Sequence, residues 1–148
     1  MKRGLRGDII FDTSILIEII AGTDTGKRIA SLLKEEVIRA FTTELNIIEL
    51  RYVLCRKAGW EKASEIVDNL IRSGYIKIIS TREISERAAL LKCQRALSLI
   101  DCFTIAAGET TKRKVMFARK EKELENELKR KQFQTTIIFA ADIGGSPS

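Results

Sequence analysis

Five short apolar runs punctuate the chain: DIIF at 8–11, VIRAFT at 37–42, YIKII at 75–79, VMFA at 115–118 and TIIFA at 136–140. They are rich in β-branched or aromatic residues and too short for ordinary helices, whereas the segments between them are long enough for one or two helices each. A strand apolar on both faces has to be covered on both faces, and strands joined by helix-length crossovers pair in parallel. The alternation therefore predicts an α/β protein with a parallel sheet covered on each side by helices.

Helical patterns occupy 13–21, 26–35, 44–58, 61–72, 83–97 and 99–112. Thr42 and Thr43 are candidate caps for 44–58, Gly59 its stop, Gly74 the end of 61–72, and Ser80 with Glu83 a capping box for 83–97. Segment 119–131 has only Leu124 and Leu128 as apolar positions, and it pairs Glu125 with Lys129 and Glu127 with Lys131 at i,i+4. It is predicted to be an exposed helix. With 148 residues, 45% of them hydrophobic, the chain suits one core. Residues 1–142 are expected to form a single domain and 143–148, ending in GGSPS, a flexible tail.

What the chain lacks restricts its chemistry. There is no histidine, which removes Ser-His-Asp and Cys-His mechanisms and nearly all common zinc sites. Cys55, Cys93 and Cys102 contain no C-x-x-C pair and are expected to be small buried hydrophobes. Lys2, Arg3 and Arg6 before an apolar run resemble a secretion signal, but Asp12 and Glu18 interrupt that run at a cost of about 3 kcal/mol each in a membrane. A soluble, cytoplasmic protein with no membrane partner is expected. The net charge of +6 permits a polyanionic partner, and Lys112 to Lys114 and Lys129 to Lys131 are the densest basic clusters that could guide one.

Three acids stand in apolar surroundings. Asp12 separates a strand-like run from a helix-like run in IIFDTS, at the carboxyl end of a strand, where open parallel sheets bind ligands. Its competing role is to cap helix 13–21. Glu49 lies in NIIELRYVL, on a helix whose inward positions would include Leu45, Ile48 and Tyr52, and Glu44 complements the dipole at that helix's start. Asp101 is the sole carboxylate in ALSLIDCFTIAAG, where Ser98 and Asp101 also spell an S-x-x-D cap. Brought into one cleft, three such acids would raise one another's pKa unless a divalent cation neutralised them. All-oxygen donors suit Mg²⁺ or Mn²⁺, and without histidine the chemistry to expect is metal-assisted phosphodiester hydrolysis.

Nearly the whole chain resembles a PIN domain, the nuclease family that includes VapC-type toxins. IIFDTSILIEII resembles the family's opening strand and helix with its acid at Asp12, TTELNIIELRYVL the second motif with its acid at Glu49, and LSLIDCFTIAAG the third with its acid at Asp101. The family's fourth acid follows the fourth strand in a pattern like T-x-D-x-D-F. Here the text is VMFARKEKELE, so direct alignment puts Lys120 at the Asp, and one inserted residue puts Glu121 there, with Glu123 as runner-up. The resemblance implies a three-layer α/β/α sandwich with a five-stranded parallel sheet and a metal site of Asp12, Glu49, Asp101 and Glu121 holding Mg²⁺ or Mn²⁺. It also implies cleavage of single-stranded RNA, a homodimer and, in the toxin branch, a small antitoxin over the cleft. The altered fourth position leaves an alternative, a PIN-like module that binds RNA or a protein without cutting. Haloacid-dehalogenase phosphatases need D-x-D after the first strand, where this chain has Ser14, and receiver domains need an Asp ending the third, where it reads IKIISTRE.

Overall fold

A computed structural model describes residues 5–143; the GGSPS end of the predicted tail lies outside them. The strands are β1 (Gly7–Phe11), β2 (Ile38–Thr43), β3 (Ile76–Ile79), β4 (Lys114–Phe117) and β5 (Ile137–Phe139). All pair in parallel, in the order β3-β2-β1-β4-β5. The crossovers carry α1 (Thr13–Ala21), α2 (Asp24–Lys34), α3 (Glu44–Ala58), α4 (Trp60–Arg72), α5 (Thr81–Gln94), α6 (Leu99–Thr111) and α7 (Lys122–Arg130), and a 3₁₀ turn (Ala140–Asp142) follows β5.

The two-residue strand period sorts the core into two faces. Ile9, Phe11, Ile38, Ala40 and Met116 point toward α1 to α4, where they pack with Ile15, Leu16, Ile29, Leu50 and Val67. Ile10, Val115, Phe117 and Phe139 point the other way, toward Ile84 and Leu91 of α5, Ile105 of α6 and Leu124 of α7. The result is the three-layer α/β/α sandwich. Among the described residues no helix is long and apolar enough to cross a membrane.

Several local expectations are corrected. Helix 83–97 stops at Gln94, because Arg95 leaves helical geometry (φ −124°, ψ 147°) to bury its guanidinium. There Arg95 donates to the carbonyls of Glu127 (3.2 Å), Lys131 (2.7 Å) and Gln132 (3.0 Å), meets the Glu127 carboxylate at 3.3 Å and stacks 3.8 Å over Phe133. Helix 119–131 shrinks to α7 and is not wholly exposed: Leu124 and Glu127 are buried. Glu125 does pair with Lys129 (3.8 Å), but Glu127 pairs with Arg95 and Arg130 instead of Lys131. The Ser80 hydroxyl accepts from Arg82 N–H, and the Thr81 N–H next to it donates to Glu44 Oε1 at 2.7 Å, so Glu44 serves the starts of both α3 and α5. Of the cysteines only Cys102 is buried; Cys93 is exposed and Cys55 is between the two. Gly59 does end α3, with φ +91°, and α4 follows at once.

The sheet's direction separates the charges. Lys112 and Arg113 precede β4 and Lys114 begins it, so they lie at the amino end of the sheet, where Arg113 pairs with Asp8 (3.2 Å) and covers Phe41. This is the opposite end from Asp12, and these cations do not line the acids' cleft.

Candidate acidic active-site cleft

From β1 the chain proceeds through β2 and β3 on one side, and it returns to β4 and β5 on the other. The crevice between the carboxyl ends of β1 and β4 is the point where strand order reverses. Asp12 is the residue after β1, and its N–H donates to the Met116 carbonyl of β4 at 3.0 Å. Its side chain caps α1, with Oδ2 accepting from the N–H (2.9 Å) and the hydroxyl (2.7 Å) of Ser14. The Ser14 oxygen in turn accepts from Ala118 N–H at 2.9 Å. Ser14 thus clamps the ends of both strands around one carboxylate, so the capping role and the cleft-facing role of Asp12 coexist.

Asp101 stands in the first turn of α6, where Ser98 caps the helix by accepting from Asp101 N–H (3.1 Å). Asp12, Ser14, Asp101, Phe117, Arg119 and Glu121 are among the residues lining a cavity of about 270 Å³. Glu121 is the residue before α7, yet its side chain makes no capping bond. Lys120 faces the other way, with its ammonium 5.2 Å from the centre of the Phe139 ring, so the directly aligned position is turned out of the cleft. Glu49, half-buried on α3, is not among the residues lining the cavity, but its charge bears on both aspartates. The inward face of α3 is Asn46, Ile47 and Leu50; Ile48 and Tyr52, expected inward, are exposed.

Burial pushes the Asp12 carboxyl above the usual range, and the Glu49 charge adds to this against the opposing Ser14 bonds. The Asp101 carboxyl is pushed up to about 7, first by burial and then by the charges of Asp12, Glu49 and Glu123. Among the described residues none of Asp12, Glu49, Asp101, Glu121 and Glu123 has an ion-pair partner. Carboxylates that crowd one cleft without a cation form a donor set suited to a hard divalent ion. As they stand, no three acids among the described residues are grouped closely enough to hold one between them. A Mg²⁺ ion needs only one or two carboxylates, the rest of its shell being water and substrate phosphate, and the set fits that mode.

Behind the cavity lies a buried uncharged residue that gave no signal as a ligand or an acid. Asn46, fully buried on α3, donates to Thr13 Oγ1 of α1 (2.9 Å) and Thr104 Oγ1 of α6 (3.1 Å), and accepts from Thr43 Oγ1 (2.7 Å). It joins α1, which Asp12 caps, to α3 and α6, which carry Glu49 and Asp101. The only sequence signal for it is a T-x-x-N cap pattern, which Thr43 and Asn46 do form.

An acid-lined crevice at the switch point of a five-stranded parallel sheet, backed by helices on both faces, places the chain in a class of α/β proteins with carboxylate sites at the sheet's carboxyl edge. Residues 9–126 match the sequence model of the PIN domain, and the chain belongs to that family. Its fold is shared with the DNA-bound VapBC of Salmonella typhimurium, at 11% identity and a TM-score of 0.67, covering 90% of this chain and 98% of that one. VapC20 of Mycobacterium tuberculosis, a sarcin-ricin loop cleaving toxin, is similar at 17% identity and a TM-score of 0.62, covering 80% and 94%. VapBC-1 of nontypeable Haemophilus influenzae matches at 12% identity and a TM-score of 0.64, covering 91% and 99%. No curated protein matches the chain.

Proposed function

We propose that this PIN-domain protein is a Mg²⁺- or Mn²⁺-dependent endoribonuclease that hydrolyses phosphodiester bonds of single-stranded RNA, and that it is the toxin of a toxin–antitoxin pair. The observation that carries the reading is the pairing of Asp12 and Asp101, both with raised pKa and neither with a cationic partner, in one cavity at the strand-order switch. Asp12 would hold the ion, oriented by Ser14; Asp101 and Glu121 would share it directly or through water, and Glu49 would add negative charge behind them. A bound divalent ion supplies a water acidic enough to attack at neutral pH and positive charge for the phosphate. With the repulsion offset by such an ion, the Asp101 carboxylate would be the group placed to accept a proton in the cleft. Apolar Ile17, Phe117 and Leu124 wall the cavity and limit competing solvent.

Several of the similar structures are VapBC complexes, which supports an antitoxin as partner and a dimeric toxin. Ile48, Tyr52 and Trp60 leave apolar surface on α3 and α4 for such contacts. The Asp12→Asn variant tests the activity. The amide is nearly isosteric, so circular dichroism and melting should show the fold retained, while Mn²⁺-dependent cleavage of single-stranded RNA should fall by roughly a hundredfold or more, as expected for losing a charged group at the reacting centre. Equal residual activity in both proteins, with RNA binding that weakens steeply with salt, would instead establish a binding module that does not cut.

A further inference from the structure

Among the residues lining the acidic cavity, Arg119 is the one cation. It follows Ala118, whose N–H is bonded to Ser14, so its backbone is held at a fixed distance from the carboxylate that Ser14 clamps. Its guanidinium is loosely engaged: Nη2 lies 3.7 Å from Glu18 Oε2, beyond good hydrogen-bond length, and the side chain is 69% exposed. The other arginines paired with carboxylates, at positions 39, 51, 87, 95, 113 and 130, all approach to 3.3 Å or closer. Glu18 also has a second partner in the Thr23 hydroxyl.

The cleft therefore has a charge problem that one ion does not solve. Asp12, Glu18, Asp101 and Glu121 face a single guanidinium there, and a phosphodiester brought into the cleft adds another negative charge. A guanidinium with most donors uncommitted is the group best shaped to take two oxygens of a phosphate, and an exposed ion pair stretched to this length is readily exchanged for one. We propose that Arg119 is a substrate-binding residue that leaves Glu18 to bind a backbone phosphate of the RNA at the cleft, Glu18 being its counter-ion in the free protein. The assignment rests on the ribonuclease reading above.

The test uses the full chain, Mn²⁺ and a single-stranded RNA oligonucleotide. Arg119→Gln should raise KM roughly tenfold, as for one lost charge-assisted hydrogen bond. It should also flatten the dependence of log KM on log salt by about 0.7, the share of one phosphate contact on a single strand. Mn²⁺ affinity by calorimetry should be unchanged or tighter, because a cation beside the acids is gone. Arg119→Lys should retain the salt slope. Glu18→Gln should lower KM, and by less in the Arg119→Gln background, since part of the gain comes from the released guanidinium. An unchanged KM and salt slope in Arg119→Gln, or a drop in Mn²⁺ affinity that accounts for its loss, overturns the assignment. An equal gain from Glu18→Gln in both backgrounds overturns the counter-ion role. Wild-type protein with no Mn²⁺-dependent cleavage overturns the ribonuclease reading itself, and this inference with it.

Discussion

Asn46 has both ends of its amide committed: the nitrogen to Thr13 and Thr104, the oxygen to Thr43. Removing it takes a side-chain hydrogen bond worth about 0.5–1.5 kcal/mol from each of three buried hydroxyls, which keep only backbone partners, on top of the void. Asn46→Ala is expected to lower unfolding stability by roughly 2–4 kcal/mol in urea titration, and Thr104→Val, which removes one branch, by about 1 kcal/mol. A loss below about 1 kcal/mol for Asn46→Ala would show that the hub is not holding the helices together. Asp12 and Asp101 were legible in the sequence as acids isolated in apolar runs, because burying a charge without need is costly. Asn46 was not, since an amide within NIIELRYVL is indistinguishable from a solvent-facing residue until Thr13 and Thr104 are known to surround it. The hydropathy of α3 misleads in the same way: its buried face includes a polar residue, and its exposed face Ile48 and Tyr52.

At the scale of elements, the strands were readable because a strand covered on both sides has to be a continuous apolar run, and all five lie within a residue or two of the runs named. Helix ends were read less well wherever a distant partner sets them. Nothing local in KCQRAL stops α5 at Gln94; Arg95 turns out because α7 and the loop after it offer three carbonyls and a carboxylate. Arg95→Met keeps apolar contact with Phe133 while removing every donor. It should cost roughly 3 kcal/mol, the lower range for breaking a buried pair. Arg130 and Ala96 N–H still satisfy Glu127, which keeps the loss from being larger. The loss should be local, with faster amide exchange in α7 and the loop after it and little change in β1 or β2. Uniform acceleration across the sheet would mean that α7 is part of the global folding unit. The close approach of α1 and α2 makes a second test: a Cβ on Gly26 would lie 1.9 Å from the Glu18 carbonyl oxygen, so Gly26→Ala should destabilise by about 1–3 kcal/mol.

Over the whole molecule the sheet sorts charge by end. At its amino end Asp8 is enclosed by Arg39 and Arg113, whose guanidiniums outweigh its burial and hold its carboxyl below the usual range. At its carboxyl end Asp12 and Asp101 have no such partner and lie above it. The signs make the two ends respond oppositely to pH. Asp8 and Glu127, with lowered values, give stability that is present above the ordinary carboxylate pKa and lost as pH falls below it. Asp101, raised from 3.8 to about 7, binds its proton more tightly folded than unfolded, so stability is greatest below its unfolded value and is lost as pH rises through that interval. With no histidine in the chain, no other side chain ordinarily titrates in the upper part of that interval, above about pH 5.5. The melting temperature of metal-free protein is therefore expected to fall between about pH 5.5 and about pH 7.5. Asp101→Asn should flatten that slope while leaving the acid limb below about pH 4 intact, because that limb belongs to Asp8 and Glu127. Mn²⁺ should raise the melting temperature most at the upper pH, where the cleft carboxylates are charged, and little at the lower, where protons compete for the same oxygens. A metal-free melting temperature that stays level across this window would mean that burial and the neighbouring charges do not hold the Asp101 carboxyl up in the folded protein, and would remove the electrostatic reason for a cation beside it.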